Sequence, residues 1–260
     1  MSNILISNKN DSITTLTMNR PDKLNALSVE LRQELGNAFV QLKSDTATKV
    51  IILTGNGRAF TAGLDLKELG QRGMGTDASK SETINVVKAM RDVNKPIIAA
   101  INGFAVTGGF EIALACDILI ASTEARFADT HVLMGVVPGW GLSQRLARLI
   151  GVSRAKQVSF TGNYIDAETA CRWGLVNEVL EPEELLPYCE KIAKDICSAK
   201  PETLREVHRL IDYGWEQSLD AGLDEEIRVS AGANRGIQAQ TLERTRREVQ
   251  KRGRNQIDLT

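Results

Sequence analysis

The chain has 260 residues, 42% of them hydrophobic, which is enough to form a sizeable core in one main domain with an appendage. Its 32 Lys and Arg residues nearly balance 33 Asp and Glu residues, and the net charge of -1 gives no field that would attract nucleic acid or a membrane. We therefore expect a small molecule as the partner.

The numbers and spacing of cysteine and histidine narrow the possible classes of protein further. The four cysteines have neither zinc-site nor C-x-x-C spacing, which predicts reduced thiols in the core. Two histidines, His131 and His208, argue against a multi-histidine metal centre, and no metal is expected. The N-terminus lacks a basic segment followed by an apolar core, and no apolar run reaches the ~18 residues of a membrane span. These features predict a soluble, cytoplasmic protein.

The N-terminal part is predicted to contain a hairpin, a loop and a helix. Ile4–Ile6 and Ile13–Met18 have the pattern of two strands around a turn at Asn8–Ser12. Proline and Asp/Asn residues predict a loop at 20–27. Ser28 then suits the N-cap position of an amphipathic helix.

Next along the chain are two units, each of which passes from a strand to a glycine turn. Lys49–Thr54 is predicted as a buried strand that ends at Gly55–Gly57, and 96–101 as a second one before the glycines at 108 and 109. The spacing is not G-x-G-x-x-G, and no acidic residue closes a following strand, so a dinucleotide site is disfavoured. We expect both glycine-bearing loops to reach one side of a sheet.

The second of these turns predicts an anion site beside a carboxylate. Gly108 and Gly109 allow close backbone approach, and the first N–H groups of a helix starting there have no partner within it. Together with the helix dipole they would stabilise a phosphate or a developing oxyanion. Glu111 lies one turn further among apolar side chains, where desolvation raises its pKa towards a range useful for proton transfer. A tight turn with an ordinary first-turn glutamate is the alternative.

The remaining segments are mostly predicted as helices. Gly70–Ser81, with three glycines, suits either a flap over a ligand or a plain solvent loop, and Glu82–Val93 has a helical pattern. A strand at Ile118–Ala121 leads to a third glycine-rich turn at 129–141 and another helix. From Pro201 onward we expect charged helices that pack on the core or on another subunit, because an isolated amphipathic helix is marginal in water.

Three motifs are highly specific when they are taken together. They are R-P-D-K-L-N-A-L-S at Arg20–Ser28, A-F-T-A-G-L-D-L at Ala59–Leu66 and N-G-F-A-V-T-G-G-F-E-I-A-L-A-C-D at Asn102–Asp117. From about residue 13 to 199 the chain resembles the crotonase, or enoyl-CoA hydratase/isomerase, superfamily. The resemblance implies an α/β fold, with a repeated β-β-α spiral core over 1–199 that holds an acyl-CoA site and a C-terminal helical trimerisation segment over 200–260.

The resemblance also implies a ligand and its contacts. The ligand is an acyl-CoA thioester, with coenzyme A as part of the substrate and no other cofactor. Its thioester oxygen would lie between two backbone N–H groups matched here by Ala62 and Gly108. Glu111 matches one of the two glutamates used by hydratases, whereas His131 stands at the position of the other. CoA or substrate contacts are implied for Lys23, Asn25, Ala26, Ala62, Gly63, Leu64, Asp65 and Gly108.

The histidine is a departure from the family pattern. An imidazole, with a reference pKa near ~6.5, is suited to proton transfer at neutral pH. His131 can therefore replace the carboxylate, mark a different reaction on the same enolate, or be a packing residue. Asp129 is either a substitute carboxylate or, because positions i and i+2 share a face of an extended segment, the partner that orients His131.

The leading hypothesis is a lyase that adds water across a 2-enoyl-CoA double bond, as a homotrimer or a dimer of trimers. Glu111 would activate the water and His131 would assist. Isomerase, decarboxylase or thioesterase chemistry on acyl-CoA is a second hypothesis, and a weakly catalytic acyl-CoA-binding protein is a third. The retained Glu111 favours chemistry, since a pure binder has no evident use for it.

Overall fold

The computed structural model describes residues 3–72 and 85–257, in which ten strands and eleven α-helices are placed. The strands are β1 Leu5–Asn10, β2 Ile13–Met18, β3 Val50–Gly55, β4 Ala59–Thr61, β5 Ile97–Ile101, β6 Phe104–Val106, β7 Ile118–Ser122, β8 Arg126–Ala128, β9 Ile165–Asp166 and β10 Glu178–Leu180. The helices are α1 Val29–Ser44, α2 Leu66–Arg72, α3 Val86–Asp92, α4 Gly108–Leu114, α5 Leu142–Ile150, α6 Val152–Thr161, α7 Ala167–Arg172, α8 Pro182–Cys197, α9 Pro201–Glu216, α10 Leu219–Ala233 and α11 Ala239–Ile257.

The strands form two sheets that the chain visits alternately. The larger sheet has the order β1-β2-β3-β5-β7-β10, and the smaller one has the order β4-β6-β8-β9. Three consecutive strand pairs, β3/β4, β5/β6 and β7/β8, each place the first strand in the larger sheet and the second in the smaller. Helix α2 follows the first pair and α4 the second, which confirms the predicted β-β-α spiral.

The larger sheet is covered on both faces, as its apolar sequence requires. Strands β2, β3, β5, β7 and β10 are parallel neighbours, and only β1 is antiparallel to its partner. Ile51 and Leu53 of β3 belong to the same apolar cluster as Phe39 of α1, whereas Val50 and Ile52 cluster with α8. Near-continuous apolar strands are typical of parallel sheets buried in this way.

Several local predictions are confirmed, and others are corrected. The hairpin is present, but β1 extends to Asn10, so its turn is shorter than the predicted Asn8–Ser12. Ser28 caps α1, because its Oγ accepts the Leu31 N–H at 3.2 Å. The segments predicted as glycine turns each contain an additional three-residue strand, β4 or β6, which is too short to show an alternating pattern.

The predicted flap and the helix after it are only partly described. Residues 66–72 form α2, so the flap predicted at Gly70–Ser81 begins inside a helix. Its residues 73–81, and residues 82–84 of the predicted helix, lie outside the described part of the chain. Helix α3 confirms the rest of that prediction.

The chain divides into two compact units, Met1–Pro201 and Glu202–Thr260. The second unit is helical, and an ion pair between Arg209 Nη1 and Glu225 Oε1 at 2.9 Å joins α9 to α10 within it. None of the helices in the described ranges is long and apolar enough to cross a membrane. All four cysteines are free thiols, two of them buried and two half-buried.

Candidate active site

The two glycine turns meet at the carboxyl ends of β4 and β6, which are parallel neighbours in the smaller sheet. Gly63 has a φ of +85°, and a Cβ at this position would lie 2.7 Å from the Val106 carbonyl oxygen and 3.2 Å from the Gly108 nitrogen. A Cβ on Gly109 would lie 2.2 Å from the Thr61 carbonyl oxygen. Only glycine permits this approach of two backbones. The prediction that the two loops reach one place is confirmed.

Some backbone N–H groups at this meeting point already have a hydrogen-bond acceptor within the protein, and others do not. The Ala62 N–H donates to the Leu24 carbonyl at 3.0 Å, so it is not available to a ligand. The prediction of Ala62 as an oxyanion donor is therefore wrong. Leu27 pairs with the chain on either side of Leu64, through Gly63 O at 2.7 Å and Asp65 N at 3.3 Å, so the Leu64 N–H points away from Leu27.

Two N–H groups where the two loops meet are available to an anion. Among the residues that the structure describes, the N–H groups of Leu64 and Gly108 have no hydrogen-bond acceptor. The Gly108 N–H belongs to the first residue of α4, where no intrahelical acceptor exists. The side chain of Trp140 closes this side of the turn, with a ring carbon 3.4 Å from the place of a Gly108 Cβ.

Glu111 lies on α4 with only 3% of its surface exposed. Its Oε1 accepts the backbone N–H of Trp140 at 2.7 Å and that of Leu142 at 3.3 Å. Burial raises the pKa of Glu111, and these two N–H donors and His131 oppose the rise without cancelling it. One carboxylate oxygen is thus held by the backbone, and Oε2 is left for chemistry.

His131 is also buried, and it is bound to Asp129. Its Nδ1 lies 2.6 Å from Asp129 Oδ1, which also accepts the His131 backbone N–H at 3.2 Å. Burial acts to raise the pKa of Asp129, but the hydrogen bonds from His131 and Ser159 outweigh it, and the pKa lies below its usual range. An ionised carboxylate only accepts, so Nδ1 carries the hydrogen. Asp129 therefore orients His131, the second of the two alternatives for this carboxylate.

The two predicted catalytic side chains are brought together. His131 Nε2 lies 3.7 Å from Glu111 Oε2. This is too long for a direct hydrogen bond, and one water can bind both atoms at once. Since Nδ1 donates to Asp129, Nε2 of a neutral imidazole carries the lone pair. The site therefore presents two proton-accepting atoms side by side, close to the turn that carries the Gly108 N–H.

The loop before α1 holds the site rather than lining it with side chains. Asn25 is completely buried, and its side chain accepts the Arg20 N–H at 2.7 Å and donates to the carbonyls of Asn56 and Ala59 at 2.9 and 2.7 Å. The predicted ligand contact at Asn25 is corrected, because every polar atom of this side chain already bonds to the protein. Lys23 is exposed and Ala26 half-buried, so their contacts with a ligand stay predictions.

Asp65 likewise has a structural partner. Its Oδ2 lies 3.0 Å from Arg20 Nη2, and both side chains are only 12% exposed. Burial acts to raise the pKa of Asp65, but the hydrogen bonds from Arg20 and from the first turn of α2 together have the larger effect, and the pKa lies below its usual value. Arg20 also donates to the Ala26 carbonyl. The pair ties the loop at 20–27 to the loop that carries Leu64.

Sequence reasoning missed several residues that shape the site. Trp140 and Leu142 act through backbone N–H groups, which a side-chain pattern does not show. Ser159 comes from α6, far along the chain from Asp129. The glycines around Trp140 were the available signal, since a glycine-flanked aromatic residue after a proline suggests a shaped turn rather than a helix.

Comparison with solved structures identifies the class of fold. The chain is similar to an enoyl-CoA hydratase from Bacillus anthracis, with a TM-score of 0.85 and 34% identity over 94% of this chain and 96% of that one. This similarity is the crotonase fold, which the two alternating sheets described above also define.

Sequence comparison then gives the family. Residues 8–240 match the family described as enoyl-CoA hydratase/isomerase. The chain is 41% identical to a probable peroxisomal enoyl-CoA hydratase of Arabidopsis thaliana, over 85% of this chain and 82% of that protein. It is 39% identical to the short-chain-enoyl-CoA hydratase of Clostridium acetobutylicum, over 85% of each. The chain belongs to the enoyl-CoA hydratase/isomerase family, as the sequence motifs predict.

Proposed function

We propose that the protein is an enoyl-CoA hydratase, a lyase that adds water across the double bond of a 2-enoyl-CoA thioester. The observation that carries the proposal is the pair of Glu111 Oε2 and His131 Nε2, 3.7 Å apart and buried beside two free N–H groups. Hydration needs an acceptor for a proton of water, a donor to C2 and stabilisation of an enolate between these steps. The site supplies a group for each need.

The enolate is held by backbone N–H groups. As the water oxygen bonds to C3, the electron pair of the C2–C3 double bond moves towards C1 and negative charge collects on the thioester oxygen. We assign the N–H groups of Gly108 and Leu64 as its donors, in place of Ala62. Such a donor contributes roughly 3–4 kcal/mol to the transition state when it is already in position.

The proton balance uses both titratable side chains. Glu111 Oε2 takes a proton from the attacking water, and His131 Nε2 relays it, so that the proton ends on C2. Ionised Asp129 stabilises the positive charge that the imidazole carries in passing. Both side chains return to their starting state, and no further cofactor is needed.

Two other functions would give different results in the same experiment. The replacement of the second glutamate by His131 favours a different reaction on the same enolate, such as double-bond isomerisation, which moves a proton from one carbon to another and adds no water. An acyl-CoA-binding protein would not need the raised pKa of Glu111.

The test is to incubate the protein with 2-enoyl-CoAs of several chain lengths and to identify the products by mass spectrometry. A mass gain of one water with loss of the conjugated thioester absorbance is expected. A product of unchanged mass would indicate an isomerase, and release of free coenzyme A a thioesterase. Binding of acetoacetyl-CoA without turnover of any substrate would refute the hydratase proposal and leave a binding protein.

We also propose a homotrimer or a dimer of trimers. Helices α9 and α10 bury none of their residues, although Ile211, Leu219 and Ile227 are apolar and 66%, 76% and 68% exposed. Apolar side chains in such numbers need a partner surface. A stable monomer of 28.5 kDa in light scattering would contradict this. A cytoplasmic location also stays a prediction, and the Arabidopsis relative is named as peroxisomal.

A further inference from the structure

We propose that Thr107 and Thr130 are positioning residues that fix the Gly108 N–H relative to the Asp129–His131 pair. The proposal rests on the function proposed above and adds two residues that act through others. Thr107 directly precedes the N–H that we assign to the oxyanion, and Thr130 lies between Asp129 and His131. Neither was singled out by the sequence analysis.

The backbone of Thr107 is strained. Its φ is 53° and its ψ is -112°, close to the first central position of a type II′ turn, which glycine normally occupies. A β-branched residue with positive φ is a genuine outlier. Such a conformation persists only where the surrounding contacts impose it, and it is common next to functional groups.

Three hydrogen bonds impose this conformation. The Thr107 N–H donates to the Ala128 carbonyl at 2.9 Å, and the Thr107 carbonyl accepts the Glu111 N–H at 2.9 Å. The two hydroxyl oxygens of Thr107 and Thr130 lie 2.6 Å apart. Thr107 is thus bonded to the residues on both sides of Asp129, by its backbone on one side and by its hydroxyl on the other.

These bonds determine where the Gly108 N–H points. The peptide unit between Thr107 and Gly108 is planar, so ψ of Thr107 sets the direction of that N–H. Rotation of the plane would turn the N–H away and bring the Thr107 carbonyl oxygen towards the thioester oxygen, where it would repel an oxyanion. The bond to Glu111 holds the carbonyl end of the plane, and the hydroxyl bond holds the side chain of the strained residue.

The hydroxyl bond therefore sets the spacing between two parts of the mechanism. One part is the Gly108 N–H, which donates to the thioester oxygen as negative charge collects there. The other is the pair of side chains that moves the proton. Catalytic rates are sensitive to this spacing, since a misplacement of ~1 Å can cost about 10²-fold. Substrate binding, which is spread over many contacts, should be much less sensitive.

The test measures kcat and KM for hydration of crotonyl-CoA in five single variants and one double variant. Thr107→Val and Thr130→Val keep the branched shape but remove a hydroxyl, and each should lower kcat about tenfold or more while KM changes less than about threefold. The double variant should be no slower than the single ones, because both remove the same bond. Thr107→Ser, which keeps the hydroxyl, should retain most of the activity. Thr15→Val, at a half-buried threonine of β2, is the matched control.

Thr107→Gly separates the hydroxyl from the backbone strain. Glycine accepts this φ without cost, so the variant should be at least as stable as Thr107→Val and equally slow. A Thr107→Gly enzyme with the original kcat, or losses that multiply in the double variant, would overturn the proposal. Should Thr107→Val fail to fold, Thr130→Val and Thr107→Ser still decide the matter.

The unaltered protein distinguishes this inference from the function on which it depends. If it neither hydrates crotonyl-CoA nor binds acetoacetyl-CoA, the proposed function fails and the inference fails with it. If it is active and the hydroxyl variants are equally active, only the positioning role is overturned.

Discussion

Replacing Glu111 by glutamine tests proton transfer with little change of shape. The Oε1 atom of glutamine can still accept the N–H groups of Trp140 and Leu142, which lie 2.7 and 3.3 Å from Oε1 of the carboxylate. What changes is the atom that faces His131, where an amide NH₂ replaces an oxygen able to take a proton. The fold and the thioester site should therefore survive, and the chemical step should not.

The expected loss follows from the role of this oxygen. A positioned general base contributes about 10²–10⁴-fold to a rate, and tenfold corresponds to about 1.4 kcal/mol. We expect kcat for crotonyl-CoA hydration to fall by at least ~10²-fold, which is about 2.7 kcal/mol of lost transition-state stabilisation. Affinity for acetoacetyl-CoA, measured by calorimetry, should stay within about threefold of the original.

The same substitution should make the folded protein more stable at neutral pH. Burial raises the pKa of Glu111 above its value in the unfolded chain, so its stabilising contribution is present at low pH and is lost as the pH rises through the folded pKa. Glutamine avoids the cost of burying the charge. The melting temperature of Glu111→Gln should therefore equal or exceed that of the original protein at pH 7, and the difference should shrink as the pH falls.

The control is Glu124→Gln, at an exposed glutamate, which should change neither rate nor stability. A Glu111→Gln enzyme that keeps more than about a tenth of the original kcat would show that Glu111 is not the base. The acid limb of the original enzyme's kcat/KM profile should also lie above ~4.3, the ordinary value for glutamate.

Three further experiments test other parts of the site. Asp129→Asn should lower kcat about tenfold or more, because it removes the charge that fixes the His131 tautomer. The original protein should lose stability as the pH falls through the lowered pKa of Asp129, and the Asn variant should not show this loss. Gly63→Ala should destabilise the fold by about 1–3 kcal/mol in chemical denaturation, since its φ is +85° and the new Cβ would meet the Val106 carbonyl at 2.7 Å. His131→Glu should be slow in the same hydration assay but recover activity when combined with Asp129→Ala; equal rates for the single and double variants would contradict this.

The long strands could be predicted from the sequence, and the short strands could not. The apolar runs at β3, β5 and β7 are five or six residues long and buried, so composition alone marks them. Strands β4 and β6 have three residues each, and their pairing is irregular between Ala59 and Thr61. Such strands exist because of their neighbours in the sheet, which no local pattern records.

The site was predictable where side chains act and not where single N–H groups act. Glu111 and His131 were marked by residue type and by the family motif, and the structure brings them together. Whether Ala62 or Leu64 has a free N–H depends on a bond to Leu24, almost 40 positions earlier in the chain. A contact between Asp129 and His131 was one of two alternatives, argued from an extended segment. His131 instead has helical backbone angles, and the carboxylate accepts its backbone N–H as well as its ring N–H.

The electrostatics of Asp129 and His131 explain why the family's second glutamate cannot simply be restored in this chain. Asp129 is 1% exposed and stays ionised because His131 and Ser159 donate to it. A glutamate at position 131 would remove the main donor and add a third carboxylate to a buried site that already holds Asp129 and Glu111. Like charges in a desolvated site raise one another's pKa, so a third carboxylate would oppose ionisation of the other two. Removing the Asp129 carboxylate at the same time would leave two, the number that the family pattern uses. His131 and Asp129 therefore depend on each other. Replacing either residue alone would leave the other as a buried group without its partner.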